Sequence, residues 1–267
     1  MEHRVFFCKF RQGKGVNMIN IENIYHTYIS YLNDERQKKR KDVKDWYSAS
    51  ASGYCYKKQY YMKTGTEGAP MDKRVSRLLR LGTVVHSDIE KSLLHAGMEK
   101  NGKGDIDFDI YTEYEITLPK LNVIGHLDHM FISKSQDVVY INDLKTVNDW
   151  TWKKKFGRKY KEDKPSPHYF MQIGTYALGV KRVRGDDVKS DYYLNIVWYN
   201  KNDSKIKIQP VDPVWIDRAE QYWHDLNDFI DETGDEILNI KPDTAVGVPM
   251  MNWECNYCQF NKICKGE

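Results

Sequence analysis

Within its 267 residues the chain has no uninterrupted apolar stretch near the roughly 20 residues that a membrane-spanning helix requires, and its N-terminus lacks the apolar core of a signal peptide. Those two absences predict a cytoplasmic protein with no membrane association. Cysteine is scarce, five residues in all. In a cytosolic chain such thiols stay reduced, which argues against a disulfide framework and for metal ligation. Charge of one sign is also lacking. Against 41 Lys and Arg stand 38 Asp and Glu, a formal net charge of +3, so the whole-chain field neither demands nor excludes a polyanionic partner. The sequence shows no internal repeat, no low-complexity segment and no Gly-rich phosphate loop of the helicase kind. A solenoid, a disordered chain and a nucleotide-driven motor are thereby excluded.

What is present suits one large globular domain, or a core with an attached helical part: 40% hydrophobic, 30% charged and 13% aromatic residues. Ile21, Ile24, Tyr25, Tyr28, Ile29 and Leu32 recur at helical spacing and predict a helix from Ile19 to about Val43 that ends in the basic run Glu35–Lys41. Ser48-Ala-Ser-Ala-Ser-Gly53 offers caps for a short helix carrying Tyr54, Cys55 and Tyr60, and a further helix is expected from about Met71 to Ala96. Strands follow at Phe108–Leu118, Leu121–Ser133 and Val138–Lys145 and read as an antiparallel meander. A helix from His168 to Val180, strands at Asp191–Asn200 and Ser204–Val211, and a long helix from Pro213 to about Leu238 complete the pattern. The expected organisation is a leader or arm at 1–18, a helical part at 19–104, a core at 105–240 and a cysteine-rich tail at 241–267.

Chemistry concentrates in the meander. Asp143 and Lys145 lie two apart on one strand, so their side chains leave the same face and Leu144 leaves the other. Gly125-His-Leu-Asp128 on the neighbouring strand brings a second carboxylate. Two carboxylates with water are the usual protein share of a Mg²⁺ or Mn²⁺ site, where a lysine can orient the attacking water or offset charge on the phosphate. An Asp-x-Lys triplet alone is also what a surface ion pair looks like. His86 and Glu90 share a face of the preceding helix, and Gln172 and Tyr176 share one of the following helix.

In this order, His86, Gly125-x-x-Asp128, Asp143-x-Lys145-Thr146 and Gln172-x-x-x-Tyr176 resemble the PD-(D/E)XK nucleases, and within them the RecB-like exonucleases. The resemblance implies an α/β restriction-endonuclease-like core, a mixed central sheet flanked by helices. It makes His86, Asp128, Asp143 and the Leu144 carbonyl ligands of Mg²⁺ or Mn²⁺ and Lys145 the catalytic lysine. Gln172 and Tyr176 become DNA-contacting or bracing residues, and Glu113 or Glu115 a possible contributor from the preceding strand. The activity implied is metal-dependent DNA exonucleolysis on single strands, with 5′ to 3′ polarity from the CRISPR-associated relatives, in recombination, repair or CRISPR-type processing. Recombination or CRISPR adaptation proteins are the implied partners. A structure-specific endonuclease and a non-catalytic DNA-binding module are the alternatives.

Cys55 upstream and Cys255, Cys258 and Cys264 near the C-terminus form a second set. Four thiolates suit zinc or an iron–sulphur cluster, and ligand type alone decides little. The same layout is that of the iron–sulphur RecB-like nucleases, such as CRISPR-associated four-cysteine exonucleases and the nuclease domain of AddB. The resemblance therefore implies a [4Fe-4S] cluster that joins the tail to the N-terminal part. Cys8 is expected to be uninvolved. Finally, Asn148–Lys164 interleaves Trp150, Trp152, Phe156 and Tyr160 with seven basic residues, among them Lys153, Lys154 and Lys155. This segment is a candidate strand-guiding surface, or else a solvated face with its rings tucked into the core.

Overall fold

The computed structural model describes residues 20–40, 45–98, 108–133, 135–157, 166–185, 190–240 and 254–266. Expectations for the arm at 1–18 with Cys8, for residues 41–44 and for 241–253 lie outside these. So do those for 158–165 and for the side chains of Arg36, Gln37, Lys39 and Arg40.

The strands form where β-branched and aromatic residues concentrate. Strand β4 (Val138–Val147) is central: Val139, Ile141 and Leu144 are each fully buried, as expected for a strand covered on both faces. It pairs antiparallel with β3 (Val123–Ser133) and parallel with β5 (Asp191–Asn200). β3 pairs antiparallel with β2 (Phe108–Leu118), so the expected meander is present, and β5 pairs antiparallel with β6 (Ile206–Val211). A two-residue strand, β1 (Tyr47–Ser48), adds parallel to the start of β3. The sheet is therefore mixed, in the order β1-β3-β4-β5-β6 with β2 on β3.

Helices cover both faces. The preceding helices are α1 (Ile21–Arg40), α2 (Tyr56–Lys63) and α3 (Lys73–Met98); the crossover from β4 to β5 contains α4 (Asp149–Phe156) and α5 (Pro167–Arg184); α6 (Val214–Thr233) and the short α7 (Asn261–Lys265) follow. A parallel strand pair needs such a crossover. Residues Met171 to Val180 of α5 are buried without interruption, because the helix lies between the sheet and α6. On β4, Asp143 and Lys145 alternate with Leu144 and Thr146. Gln172 of α5 reaches Asp143 and Gly82 of α3 abuts Thr146, so α3 and α5 occupy opposite faces. No helix among the described residues is long and apolar enough to cross a membrane.

Two expectations change, and a segment with no assigned element gains one. The long final helix stops at Thr233: Gly234 turns the chain at φ +50° and a 3₁₀ segment, Gly234–Asn239, continues it. Cys55 stands one residue before α2, at its N-cap, rather than within a helix. The segment after β4 begins with a helix, α4, which Asn148 caps by accepting a hydrogen bond from the Thr151 amide at 2.8 Å.

The C-terminal residues dock on α2. Phe260 is 1% exposed and packs against Tyr61 at 5.1 Å, Ala69 donates its amide to the Gln259 carbonyl at 2.8 Å, and the Cys55 amide donates to Glu254 Oε1 at 2.9 Å.

The α5–α6 contact gives a stability test. A Cβ added at Gly174 would stand 2.1 Å from the Trp215 carbonyl oxygen, and that oxygen cannot move without shifting α6. Gly174→Ala is expected to cost about 2–3 kcal/mol and lower the melting temperature by several degrees. An unchanged melting curve would contradict the close approach.

Candidate active site

The site begins with a gap in the sheet. β3 spends one edge on β2 along its whole length but splits the other, pairing with β1 at Val123–Ile124 and with β4 only from His129 to Ile132. The stretch Gly125–Asp128 between them meets no strand on that edge. Asp128 and Asp143 both follow the last β3–β4 pair, His129↔Asn142, so they stand where the two strands diverge. Gly125 is required beside this fork, since a Cβ there would lie 2.5 Å from the Ala49 Cβ and 3.3 Å from Tyr176.

Four sequence-predicted groups converge at the fork. Asp128 Oδ2 accepts a hydrogen bond from the Leu144 amide at 2.6 Å, and Asp128 Oδ1 faces His86 Nδ1 at 3.6 Å. In an extended strand the N–H and C=O of one residue point to the same side, so the Leu144 carbonyl faces the same gap. Asp143 is 1% exposed. Lys145 Nζ lies 2.9 Å from its Oδ1 and 2.7 Å from its Oδ2. Gln172 Nε2 donates to Asp143 Oδ1 at 3.2 Å and to the Tyr176 hydroxyl at 2.9 Å. Gln172 and Tyr176 thus brace the carboxylate, with His86 arriving from one face of the sheet and Gln172 from the other.

The electrostatics follow from burial working against pairing. Burial opposes the charge on His86, but the hydrogen bond and field of Asp128 raise its pKa above the ordinary 6.5. Asp128 is likewise desolvated, yet His86, Lys145 and the Leu144 amide hold it below the ordinary carboxylate value. Each partner thus favours the charged form of the other. Burial would deprotonate Lys145, but Asp143 and Asp128 together raise its pKa. Asp143 is pushed up to about 6, by desolvation first, against Lys145 and with the help of Asp128. The ammonium pairs with Asp143 and lies in the field of Asp128, in a site where Asp143 itself is almost fully buried.

Two acidic residues border the site. Glu113 sits opposite Asp128 with φ +47°, left-handed backbone in the middle of β2, and the register skips it between Thr112↔His129 and Tyr114↔Leu127. Desolvation and then Asp128 and Glu90 raise its pKa. Of the pair Glu113 and Glu115, the fold thus brings Glu113 to the site. Glu90, one turn beyond His86 on α3, accepts a hydrogen bond from the Thr112 hydroxyl at 3.3 Å. No residue pattern in β2 announces the left-handed break.

The lysine–aromatic segment divides. Trp150 is 64% exposed and carries Lys154 over its ring at 3.5 Å. Trp152 packs edge-on to Phe156 at 4.8 Å and against the core. Lys153 pairs with Asp149 within its own helix, while Lys155 lies over Trp198 at 4.4 Å, on the side of the fork.

Cys55, Cys255, Cys258 and Cys264 line one hollow with about 330 Å³ of free space, part of it open to solvent. None of the four is in a disulfide; Cys55 is buried and the others are half-buried. Desolvation raises the Cys255 thiol, and the neighbouring Cys264 and Cys258 raise it further. Among the described residues no three His, Cys, Asp or Glu side chains are arranged to hold a single metal ion.

A family model of the PD-(D/E)XK nuclease superfamily matches residues 97–265, more than half of the chain. Among solved structures the chain is similar to an alkaline exonuclease of Laribacter hongkongensis, at 15% identity and a TM-score of 0.42, covering 77% of this chain and 96% of that one. A provisionally named exonuclease of Eubacterium rectale gives 15% identity and a TM-score of 0.44, with 82% and 95% covered. The protein SSO0001 gives 17% and 0.44, with 92% and 98% covered. No curated protein matches the chain in sequence.

The raised Asp143 carboxyl sets a pH dependence with a definite sign. Its proton is held more tightly in the folded chain than at the ordinary value of 3.8. Its stabilising share is therefore complete below that value and lost as pH rises through about 6. With divalent metal chelated, Asp143→Asn is expected to gain stability relative to the native chain between about pH 4 and pH 7. Thermal melts across that range check it; a difference that does not vary with pH would contradict the burial of this carboxyl.

Proposed function

The chain belongs to the PD-(D/E)XK nuclease superfamily, and from that premise we propose that it is a Mg²⁺- or Mn²⁺-dependent deoxyribonuclease that removes nucleotides from single-stranded DNA, from the 5′ end towards the 3′ end. The convergence of His86, Asp128, Asp143 and Lys145 at one strand fork carries the reading. The single-strand preference, the polarity and a setting in recombination, repair or CRISPR-type processing with its adaptation proteins rest on the family resemblance of the motifs.

The donor set fits a hard divalent cation: two carboxylates and a carbonyl, with one imidazole. His86, Asp128, Asp143 and the Leu144 carbonyl would hold it, and a bound ion supplies Lewis acidity and a more acidic water. The residues of the chain do the rest. Lys145, kept charged by both carboxylates, stands where it can bind a non-bridging phosphate oxygen and offset the charge that grows on it. Gln172 fixes the Asp143 carboxylate and Tyr176 fixes Gln172, so the acid cannot rotate away from the fork. In the metal-free chain the Asp128 carboxylate holds the His86 ring in place; as a ligand His86 would be the neutral imidazole. Burial strengthens each of these interactions by excluding water.

The four cysteines would hold a [4Fe-4S] cluster. Their thiols share one hollow and their number matches Cys₄ ligation. Four thiolates suit zinc as well, and ligand type alone does not separate the two. The choice of a cluster over zinc rests on the family resemblance of the cysteine layout. Bound there, the cluster would fasten the tail to Cys55 across about two hundred residues of chain, where loop closure contributes most.

Anaerobically purified protein is expected to shorten end-labelled single-stranded DNA stepwise with Mn²⁺, and Asp143→Asn or Lys145→Ala to lower the rate by at least about 100-fold with binding retained. DNA binding without release of nucleotides in either metal would overturn the enzyme reading in favour of a binding module, and cuts confined to branched substrates would point to an endonuclease. Iron analysis of the same protein is expected to find about four irons per chain, as a [4Fe-4S] centre requires, and Cys258→Ser to lose them. Zinc in place of iron would remove the cluster and leave the nuclease reading standing.

A further inference from the structure

One group of side chains lies between the cysteine hollow and the fork and has no part in the chemistry above. Lys58, on α2, places its ammonium 3.7 Å from the centre of the Tyr54 ring. Tyr54 stacks on His168 at 6.2 Å and 20°, His168 lies 3.9 Å from the Tyr169 ring, and Lys145 Nζ stands 5.1 Å from the centre of Tyr169 on its other flank. A continuous row of rings thus links Lys58 to the catalytic lysine. Lys58 and both tyrosines are half-buried, and His168 is 8% exposed within the row.

The charges in this row do not balance. Lys145, Lys155 and Lys58, from three separate elements, all lie close enough to His168 to oppose a positive charge on it; with burial as the larger cause, they push its pKa down to about 3. The imidazole is therefore neutral and the rings add no formal charge. Lys145 is matched by Asp143. Lys58 makes no ion pair among the described residues; Glu254, whose charge it favours, gives Oε1 to the Cys55 amide. An ammonium over a ring face is held by the ring and keeps donors for an anion. The group complementary to it is an anion that also tolerates a flat apolar wall. The sugar–phosphate backbone of a single strand has that character, with bases able to lie along rings and phosphates able to meet lysines.

We propose that Lys58, aligned by the Tyr54–His168–Tyr169 row, is a second phosphate subsite, binding a phosphate of the DNA strand farther along than the one held at the catalytic fork. This rests on the nuclease reading and deepens it, because a phosphate contact on one side of the fork fixes which way the strand runs. The phosphate bound is either an internal phosphodiester or a terminal 5′-phosphate.

The test uses full-length protein with its metals, measuring KM and kcat on end-labelled single-stranded oligonucleotides over a range of KCl. Lys58→Ala is expected to raise KM five- to tenfold with kcat changed less than twofold, and Lys58→Arg to restore KM. The slope of log binding constant against log salt should become shallower by about 0.7, the value for one phosphate contact on a single strand. If the penalty appears only with 5′-phosphorylated oligonucleotides, the ligand is the terminal phosphate; if it is equal with 5′-hydroxyl ends, it is an internal one. Because Lys58 borders the cysteine hollow, Lys58→Met, which keeps most of the packing, is measured beside it for iron content and melting temperature. An unchanged KM and salt slope in Lys58→Ala, with native cleavage by the unmutated protein, overturns the subsite and leaves the nuclease reading intact. A fall in iron content or melting temperature with no change in salt slope makes Lys58 structural and overturns it equally. Absence of DNA binding by the unmutated protein overturns both.

Discussion

The buried ion pair of Lys145 with Asp143, in the field of Asp128, is the interaction on which the rest of the structure depends. A lysine and a carboxylate this deeply buried are costly unless each charge is met and each remaining lone pair is bound. The surroundings follow from that requirement. β3 and β4 must part so that both carboxylates can turn into one gap, and the parting leaves the Leu144 amide without a strand partner, which Asp128 then satisfies. Gln172 takes a further Asp143 lone pair and is itself held by Tyr176. His86 balances Asp128 from the opposite helix. Gly125 keeps the fork open to Ala49 and Tyr176, and Gly82 lets α3 come down on Thr146 so that His86, one turn further on, can reach Asp128.

Much of this was legible in the sequence because it depends on local periodicity. Asp143 and Lys145 share a strand face by alternation, and Gln172 and Tyr176, like His86 and Glu90, share helix faces by the four-residue repeat. The runs of β-branched and aromatic residues placed the five longer strands within a few residues. What stayed illegible has no periodic signature. β1 is two residues long and exists only because β3 offers an edge there. The halt of α6 at Thr233 turns on one glycine inside an otherwise continuous helical pattern. The choice of Glu113 over Glu115 comes from a left-handed residue opposite Asp128, and either glutamate fits the strand equally well on paper. The row from Lys58 to Lys145 joins residues from three elements, so no window of sequence contains it.

The split of Trp150 from Trp152 shows the same limit at closer range. The composition of that segment fits a nucleic-acid surface and a solvated helix equally. Once Asn148 caps a helix there, the two indoles, two residues apart, must face in different directions. One is turned to solvent beneath Lys154 and the other is turned onto Phe156 and the core. The helical phase, rather than the number of rings, decides which of them a strand of DNA can meet.

The position of the cysteine hollow can be argued from the same polar bookkeeping. The segment from Ser52 to Gln59 is tied to the helices behind the sheet by buried hydrogen bonds. The Ser52 and Thr175 hydroxyls meet at 2.8 Å, Trp223 Nε1 donates to Thr175 at 2.9 Å, Gln59 Nε2 donates to the Tyr222 hydroxyl at 2.9 Å, and that hydroxyl donates to the Tyr54 carbonyl at 2.8 Å. Thr175 lies one residue before Tyr176, on the helix that braces Asp143. Each contact would leave a buried polar atom unpaired if the segment moved, at a cost of about 1–3 kcal/mol per group. The start of α2, and with it Cys55 and Lys58, therefore has one favourable placement relative to the fork. The docking of Phe260 on Tyr61 and the bond from the Cys55 amide to Glu254 then set the C-terminal cysteines against that fixed point. The start of α2 and the C-terminal cysteines meet beside the Asp128–Asp143 fork because α5 holds both sides: Thr175 anchors the Ser52 segment and, within one turn, Gln172 and Tyr176 anchor the acid.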